Sequence, residues 1–275
     1  VDLDAAQMSY TTILYGKNAN GNDIEMERLH GDVNRIWVDY DDIPEDMVNA
    51  AIALEDKRFR EHQGVDWKRT IASAVNLVIP IYEGTPGGST ITQQLVKNVT
   101  GDKEQNMDRK MREIFRAADL EKYRTKDEIL DAYLNCVGMG GSCSGVQAAA
   151  LKYFGKDVSV LDLAEAACLA AIPKSPESLN PFANKEANRE RQLLVLKAMY
   201  NNAAISKQQY DDAVNEELQF RDPNSETNSS EIQNWYIDMV IRDVTLDLMN
   251  LYGVEFDEAS DMLYNGGYTI YTPID

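Results

Sequence analysis

After Pro44, apolar residues recur at the three- and four-residue spacing of amphipathic helices, and this periodicity constrains the fold more than any other feature of the chain. Asp66 is a candidate N-cap for one helix, which Pro80 would end. Thr125 and Glu128 form a capping box before another. Further helices are predicted by the same spacing at 145–154, 160–171, 185–201, 207–218 and 231–252. The sequence therefore predicts a mainly α protein.

Only the two ends of the chain favour β-strands. The β-prone run Tyr10–Tyr15 is followed by an Asn20-Gly21 turn and by a short apolar stretch at Ile36–Val38. Near the other end, Tyr268–Thr272 is β-prone and can pair with the first strands. We therefore divide the chain into an N-terminal β segment, a main domain and a C-terminal segment of helices and linker, at 1–43, 44–220 and 221–275.

The charge of the chain disfavours a nucleic-acid partner. It carries 46 acidic against 27 basic side chains, a formal net charge of -19. An anionic ligand would need a locally basic site within this negative field. No apolar run approaches the roughly 20 residues that span a bilayer.

The clearest helical pattern begins at Met107 and separates two faces. The apolar face holds Met107, Met111, Ile114, Phe115 and Ala118. The opposite face is charged and holds Arg109, Arg112, Glu113 and Arg116. The ordinary interpretation puts the apolar face in the core and the charged face in solvent. The alternative is a basic patch for a polyanion such as a diphosphate, formed by Arg109, Lys110, Arg112, Arg116, Lys122 and Arg124.

Two other segments can carry chemistry. Glu55 and Asp56 follow an apolar helical stretch, where a partly desolvated carboxylate can act as a general base, although a solvated charge pair is the commoner case. Gly87-Gly88-Ser89-Thr90 precedes a helix, so its backbone N–H groups can bind an anion, although such a segment is usually only a turn. The following helix places three polar residues on one face, Gln94, Lys97 and Asn98.

Taken together, these segments resemble the peptidoglycan glycosyltransferase module of class A bifunctional penicillin-binding proteins. The resemblance runs in order from residue 44 to about 200. Its blocks are Glu55-Asp56 with Phe59, His62, Gly64 and Asp66; Gly87 to Asn98; Arg109-Lys110 with Glu113; Glu128 to Asn135; Gly145 to Lys156; and Leu163 to Ala167 leading to Pro173-Lys174, Asn180-Pro181 and Arg189.

The resemblance implies a lysozyme-like fold of two lobes, mainly helical, with a small β element from the N- and C-terminal segments. It implies polymerisation of lipid II, with Glu55 as the general base on the acceptor 4-hydroxyl. Undecaprenyl diphosphate would leave in a single inverting displacement. Glu113 would help to position the donor diphosphate, directly or through Mg²⁺ or Mn²⁺, with no obligatory cofactor. The growing glycan strand would be the second partner.

By the same matching, a set of side chains is expected to bind substrate or to support Glu55. These are Asp56, Phe59, His62, Ser89, Thr90, Gln94, Lys97, Asn98, Arg109, Lys110 and Lys174. Leu77–Tyr82 lies where the family places a membrane contact, with an ordinary helix end as the alternative. The end of the chain resembles the linker into a transpeptidase domain. The resemblance thus implies a fragment of a bifunctional protein at the extracytoplasmic face of a bacterial membrane.

The loop from Cys136 to Ser144 departs from the family pattern, so the resemblance does not predict how this wall of the cleft is built. An extracytoplasmic site would allow a disulfide between Cys136 and Cys143, with free thiols as the alternative. Cys168, on an alanine-rich helix face, is predicted to lie in the core. Two other functions fit the carboxylates: a lysozyme-like hydrolase or lytic transglycosylase, and a cell-wall binding module without catalysis.

Overall fold

The computed structural model describes residues 10–18, 20–78, 88–101, 106–222 and 231–272, without the side chains of 74–78 and 231–234. The helices are α1 (Glu45–Glu55), α2 (Trp67–Val78), α3 (Ile91–Thr100), α4 (Met107–Leu120), α5 (Lys126–Cys136), α6 (Val146–Phe154), α7 (Leu163–Ala171), α8 (Lys185–Asn201), α9 (Lys207–Asn215), α10 (Glu231–Tyr252) and α11 (Phe256–Asn265). The strands are β1 (Thr12–Lys17), β2 (Asp23–Leu29), β3 (Asn34–Arg35), β4 (Cys143–Ser144) and β5 (Thr269–Tyr271). The prediction of a mainly helical protein is confirmed.

A small sheet joins the two ends of the chain, as predicted. Its strand order is β2-β1-β5, with β1 and β2 antiparallel and β1 and β5 parallel. The strand expected at Ile36–Val38 is wrong, because β3 ends at Arg35. The side-chain amide of Asn135 takes the place of a neighbouring strand there: it accepts from the Val38 N–H at 3.0 Å and donates to the Val38 carbonyl at 2.9 Å.

Side-chain caps fix where the helices begin. Asp66 caps α2, because its Oδ1 accepts from the Arg69 N–H at 2.9 Å. Thr125 and Glu128 form the predicted capping box of α5. The helix expected from residue 160 begins only at Leu163, since Asp162 provides its own capping box and a short 3₁₀ turn precedes it. The predicted end of α2 at Pro80 lies outside the described residues.

Two hydrophobic cores hold these elements. The larger one is built around α7, whose alanines are almost all fully buried and let α1 and α8 approach closely. Cys168 lies there, as predicted. The smaller core packs Leu14 and Leu29 of the sheet against α10 and α11. The two predicted end segments therefore share one core.

The ordinary interpretation of α4, with its apolar face in the core and its charged face in solvent, is wrong. Its apolar residues Met107, Met111 and Phe115 are 77%, 47% and 66% exposed; we name them the outer apolar stripe. The buried residues are instead Glu113, Ala117 and Leu120. Helical periodicity shows that two faces exist, but the packing of α4 on α3 decides which one is inside.

The segment after α1 fixes the orientation of α4. Gly64 has φ +81° and lies so near α4 that a Cβ atom there would be 2.4 Å from the carbonyl oxygen of Ala117. This close approach turns the Ala117 and Glu113 side of the helix inward. No helix among the described residues is long and apolar enough to cross a membrane.

Candidate active site

Glu55 is the last residue of α1 and is buried, with 8% of its surface exposed. Its Oε2 accepts from Nε2 of Gln94 at 2.8 Å, and its Oε1 lies 3.3 Å from Nη2 of Arg191. The hydroxyl of Tyr133 donates to Oε1 of Gln94 at 3.3 Å, which orients the amide. Arg69 donates to the backbone carbonyl of Glu55. The carboxylate is therefore held in one orientation by groups from several helices.

Asp56, next in sequence, holds the start of α3. It is fully buried, and its Oδ2 accepts from the Ile91 N–H at 3.0 Å and lies 2.9 Å from Nε2 of His62. A carboxylate at a helix N-terminus also interacts favourably with the helix dipole. Asp56 and His62 thus hold each other beside the start of α3, and their contact with substrate stays a prediction.

Two other residues that the resemblance assigns to substrate, Phe59 and Thr90, lie in the interior. Phe59 is fully buried in the larger core, beneath the ammonium group of Lys126 at 4.3 Å from its ring centre. Thr90 is fully buried as the N-cap of α3, and its hydroxyl donates to the Gly64 carbonyl at 2.7 Å. Both residues stabilise the frame of the site through these contacts, and their role in substrate binding stays a prediction.

Glu113 lies on the buried face of α4 beneath two cations. Its Oε2 accepts from Nη1 of Arg109 at 2.8 Å, and Oε1 pairs with the ammonium group of Lys110. The same ammonium group lies 2.8 Å from the hydroxyl of Ser89. Glu113 therefore fixes the position of two of the six basic side chains that the sequence singled out, Arg109 and Lys110.

One cleft of about 230 Å³ brings these groups together. Its lining consists of Glu55, Arg69, Ser89, Gln94, Lys97, Arg109, Glu113, Pro173 and Lys174. Four cations face two carboxylates here, so the cleft is locally basic in a chain whose net charge is -19. The exposed Asn98 is not part of this lining, and Lys110 touches it only through Ser89 and Glu113.

Neither Arg69 nor Arg191 is predicted from the sequence as a site residue, and Pro173 appears there only within a matching block. Arg69 reaches a backbone carbonyl, which no side-chain motif can reveal. Arg191 lies only two positions from Arg189, which was singled out, and a helical pattern cannot say which arginine faces Glu55.

A larger cavity, of about 640 Å³, lies between the segment that follows α1 and the end of α4. It contains neither Glu55 nor Glu113 among its lining residues. The candidate active site is therefore the smaller cleft, because Glu55 and Glu113 line it and not the larger cavity.

The residues around Glu113 do not form a resident metal site. Both of its oxygens already face cations, and no group of three or more His, Cys, Asp or Glu in the described part of the chain is placed to hold a metal ion. A divalent cation here would need most of its oxygen ligands from a bound diphosphate.

The Cys136-Ser144 loop closes on itself beside α6. Cys136 and Cys143 are both buried and are not joined by a disulfide. Burial raises the pKa of each thiol to about 11, so neither is a reactive nucleophile at neutral pH.

A held carboxylate beside fixed cations is the arrangement of an enzyme that activates a nucleophile and stabilises an anionic leaving group. Comparison with known proteins gives the family. The chain belongs to the transglycosylase family, because the family model described as Transglycosylase matches residues 22–200.

Several relatives are similar over most of this chain. Penicillin-binding protein 1A of Clostridium perfringens is 37% identical over all of this chain and 34% of its own length. Penicillin-binding protein 1A of Escherichia coli is 37% identical over 92% of this chain and 28% of its own length. The solved structure of penicillin-binding protein 1A from Haemophilus influenzae has a TM-score of 0.47 and 23% identity over 96% of this chain and 27% of that chain. The chain thus spans about a third of the length of such relatives.

Proposed function

We propose that this protein is a peptidoglycan glycosyltransferase that polymerises lipid II into glycan strands. The observation that carries the proposal is the single cation-lined cleft shared by Glu55 and Glu113. Membership in the transglycosylase family and the names of the relatives, penicillin-binding proteins, support the same activity.

In the proposed reaction, Glu55 is the general base. Its carboxylate takes the proton of the acceptor 4-hydroxyl while that oxygen bonds to the anomeric carbon of the donor sugar. The bond from that carbon to the diphosphate breaks at the same time, and undecaprenyl diphosphate leaves with the electron pair. Attack from the face opposite the leaving group inverts the anomeric centre. Gln94 and Arg191 each occupy one side of the carboxylate, which leaves lone pairs on both oxygens for the proton.

The leaving group gains negative charge as its bond breaks, so fixed cations near it lower the barrier. Arg109 and Lys97 line the cleft on the side of α3 and α4, and Lys174 lines it from the turn after α7. Glu113 pre-orients Arg109 and Lys110, which spares the entropy of ordering two long side chains during the reaction. In this proposal Glu113 is a positioning residue that acts through the two cations.

The remaining partners belong to the same proposal. The lipid tail of the substrate places the cleft at the extracytoplasmic face of a bacterial membrane. The side chains of the predicted membrane contact at Leu77–Tyr82 lie outside the described part of the structure, but the outer apolar stripe of α4 supports a membrane contact by that helix. The extra length of the relatives agrees with a transpeptidase domain beside this one.

Replacement of the base tests the proposal. Glu55→Gln keeps the hydrogen bond to Gln94 possible but cannot accept a proton, so turnover of lipid II in detergent should fall by about 10²- to 10⁴-fold. Glu45→Gln, at the exposed other end of α1, is the matched control and should leave the rate unchanged. Polymerisation by Glu55→Gln at the wild-type rate would refute the assigned base.

The products that the wild-type protein forms from lipid II and from finished peptidoglycan separate the alternative functions. Polymeric glycan formed from lipid II supports a glycosyltransferase. Soluble fragments released from finished peptidoglycan would instead indicate a hydrolase or lytic transglycosylase, and binding without any product would indicate a silent cell-wall module.

A further inference from the structure

Arg191 touches the proposed base from a helix to which the sequence analysis assigned no function. It is in the first half of α8, and its guanidinium lies between the ends of two other helices. Nε donates to the carbonyl of Ala171, the last residue of α7, at 3.1 Å. Nη2 lies 3.3 Å from Oε1 of Glu55, the last residue of α1. One planar group therefore connects α1, α7 and α8 at the catalytic end of α1.

We infer that Arg191 is a positioning residue for Glu55: it aims the carboxylate into the cleft and keeps it there as the substrate enters. This inference rests on the proposed function, because it assigns a task in the same reaction. Arg191 is not among the residues that line the cleft, so it acts through Glu55.

The pair of contacts explains why the residue is arginine. The guanidinium has five N–H donors in a rigid plane, so it can bind the Ala171 carbonyl through Nε and Glu55 through Nη2 at the same time. The hydrogen bond to the Ala171 carbonyl anchors the plane of the guanidinium. The dipole of α7 adds a favourable interaction with this cation at the C-terminus of the helix. The geometry of the plane then sets the direction of the Glu55 carboxylate.

Two restraints act on the two oxygens of Glu55 from different helices. Gln94 on α3 holds Oε2, and Arg191 on α8 holds Oε1. With only Gln94 left, the carboxylate can rotate about its last bonds and still keep one hydrogen bond. Loss of Arg191 should therefore misplace the base without removing it, and a displacement of about 1 Å is enough to cost about 100-fold in rate.

The test compares lipid II polymerisation by the purified protein and its variants, with KM and kcat measured separately. Arg191→Met keeps the length of the aliphatic stem, so kcat should fall about 100-fold while KM stays within about three-fold. Lys197→Met removes a cation from the exposed side of the same helix and is the matched control, with kcat and KM unchanged. Added guanidinium ion should restore part of kcat to Arg191→Met and to no other variant.

Arg191→Lys keeps the charge but cannot bind Ala171 and Glu55 at once. Its kcat should therefore lie between those of the wild type and Arg191→Met, about ten-fold below the wild type. This variant carries the test if Arg191→Met does not fold. A kcat within three-fold of wild type in the folded variants, or a loss that lies in KM alone, would overturn the inference. Absence of polymer from the wild-type protein would instead reject the proposed function.

Discussion

Removal of the Asp56 carboxylate tests whether it holds the frame of the site, as its contacts indicate. Asp56→Ala leaves the N–H of Ile91 and Nε2 of His62 without their partner in the interior. Each buried polar group left unsatisfied costs about 1–3 kcal/mol, and a helix N-terminus also loses a favourable charge. The sum is about 4 kcal/mol, which for a chain of this size lowers the melting temperature by about 10 °C.

Thermal unfolding followed by circular dichroism measures this loss. Asp56→Asn should lose about half as much, because its amide oxygen can still accept from Ile91. Asp119→Ala removes a half-exposed carboxylate that pairs with Lys122 at 3.2 Å, and it is the control, with a cost of at most about 1 kcal/mol. If Asp56→Ala melts together with Asp119→Ala, Asp56 does not hold the frame, and the argument from its buried contacts is refuted.

Three further predictions follow from burial and exposure. Burial and the nearby Asp39 raise the pKa of Asp131 to about 6, so between pH 3.8 and 6 the native state binds more protons than the unfolded state, and the stability of the protein falls as the pH rises through that window. Asp131→Asn should therefore raise the melting temperature at pH 8 but not at pH 3. An equal change at both pH values would contradict this sign. Cys136 and Cys143 should react with a thiol reagent at pH 8 only after unfolding, when all three cysteines should titrate without reductant; a count of one would establish the disulfide instead. Phe115→Ser should weaken sedimentation with anionic lipid vesicles without lowering the melting temperature, because this ring is 66% exposed and contributes little to the core; unchanged sedimentation would argue against a membrane contact through the outer apolar stripe.

The local structure was largely predictable because its causes are local. The caps at Asp66 and Thr125 depend on residues three positions away. The alanine-rich α7 is buried because its surface is apolar or small except at Glu165, which pairs with Lys156. The strand predicted at Ile36–Val38 was wrong for the opposite reason. The backbone N–H and carbonyl of Val38 bind the side chain of Asn135, almost a hundred residues further along the chain.

The candidate site divides in the same way. Motif spacing found Glu55, Gln94, Arg109 and Glu113, which the structure places in one cleft. Neither spacing nor the resemblance separates side chains that face the cleft from those packed behind it, and Phe59, which the resemblance assigns to substrate, is fully buried. The distinction depends on the direction of each side chain after packing, which no linear pattern contains.

By itself the sequence determined the helical class, most of the helix starts, the pairing of the chain ends and the acidic surface with one basic segment, because each follows from periodicity, capping or composition. Tertiary structure alone decided that α4 turns Glu113 inward and exposes Phe115, and that Arg191 reaches Glu55 from another helix. The reason is physical. A helix has two faces by sequence, but which face is buried, and which charge meets which, depends on the surfaces that other segments bring to it.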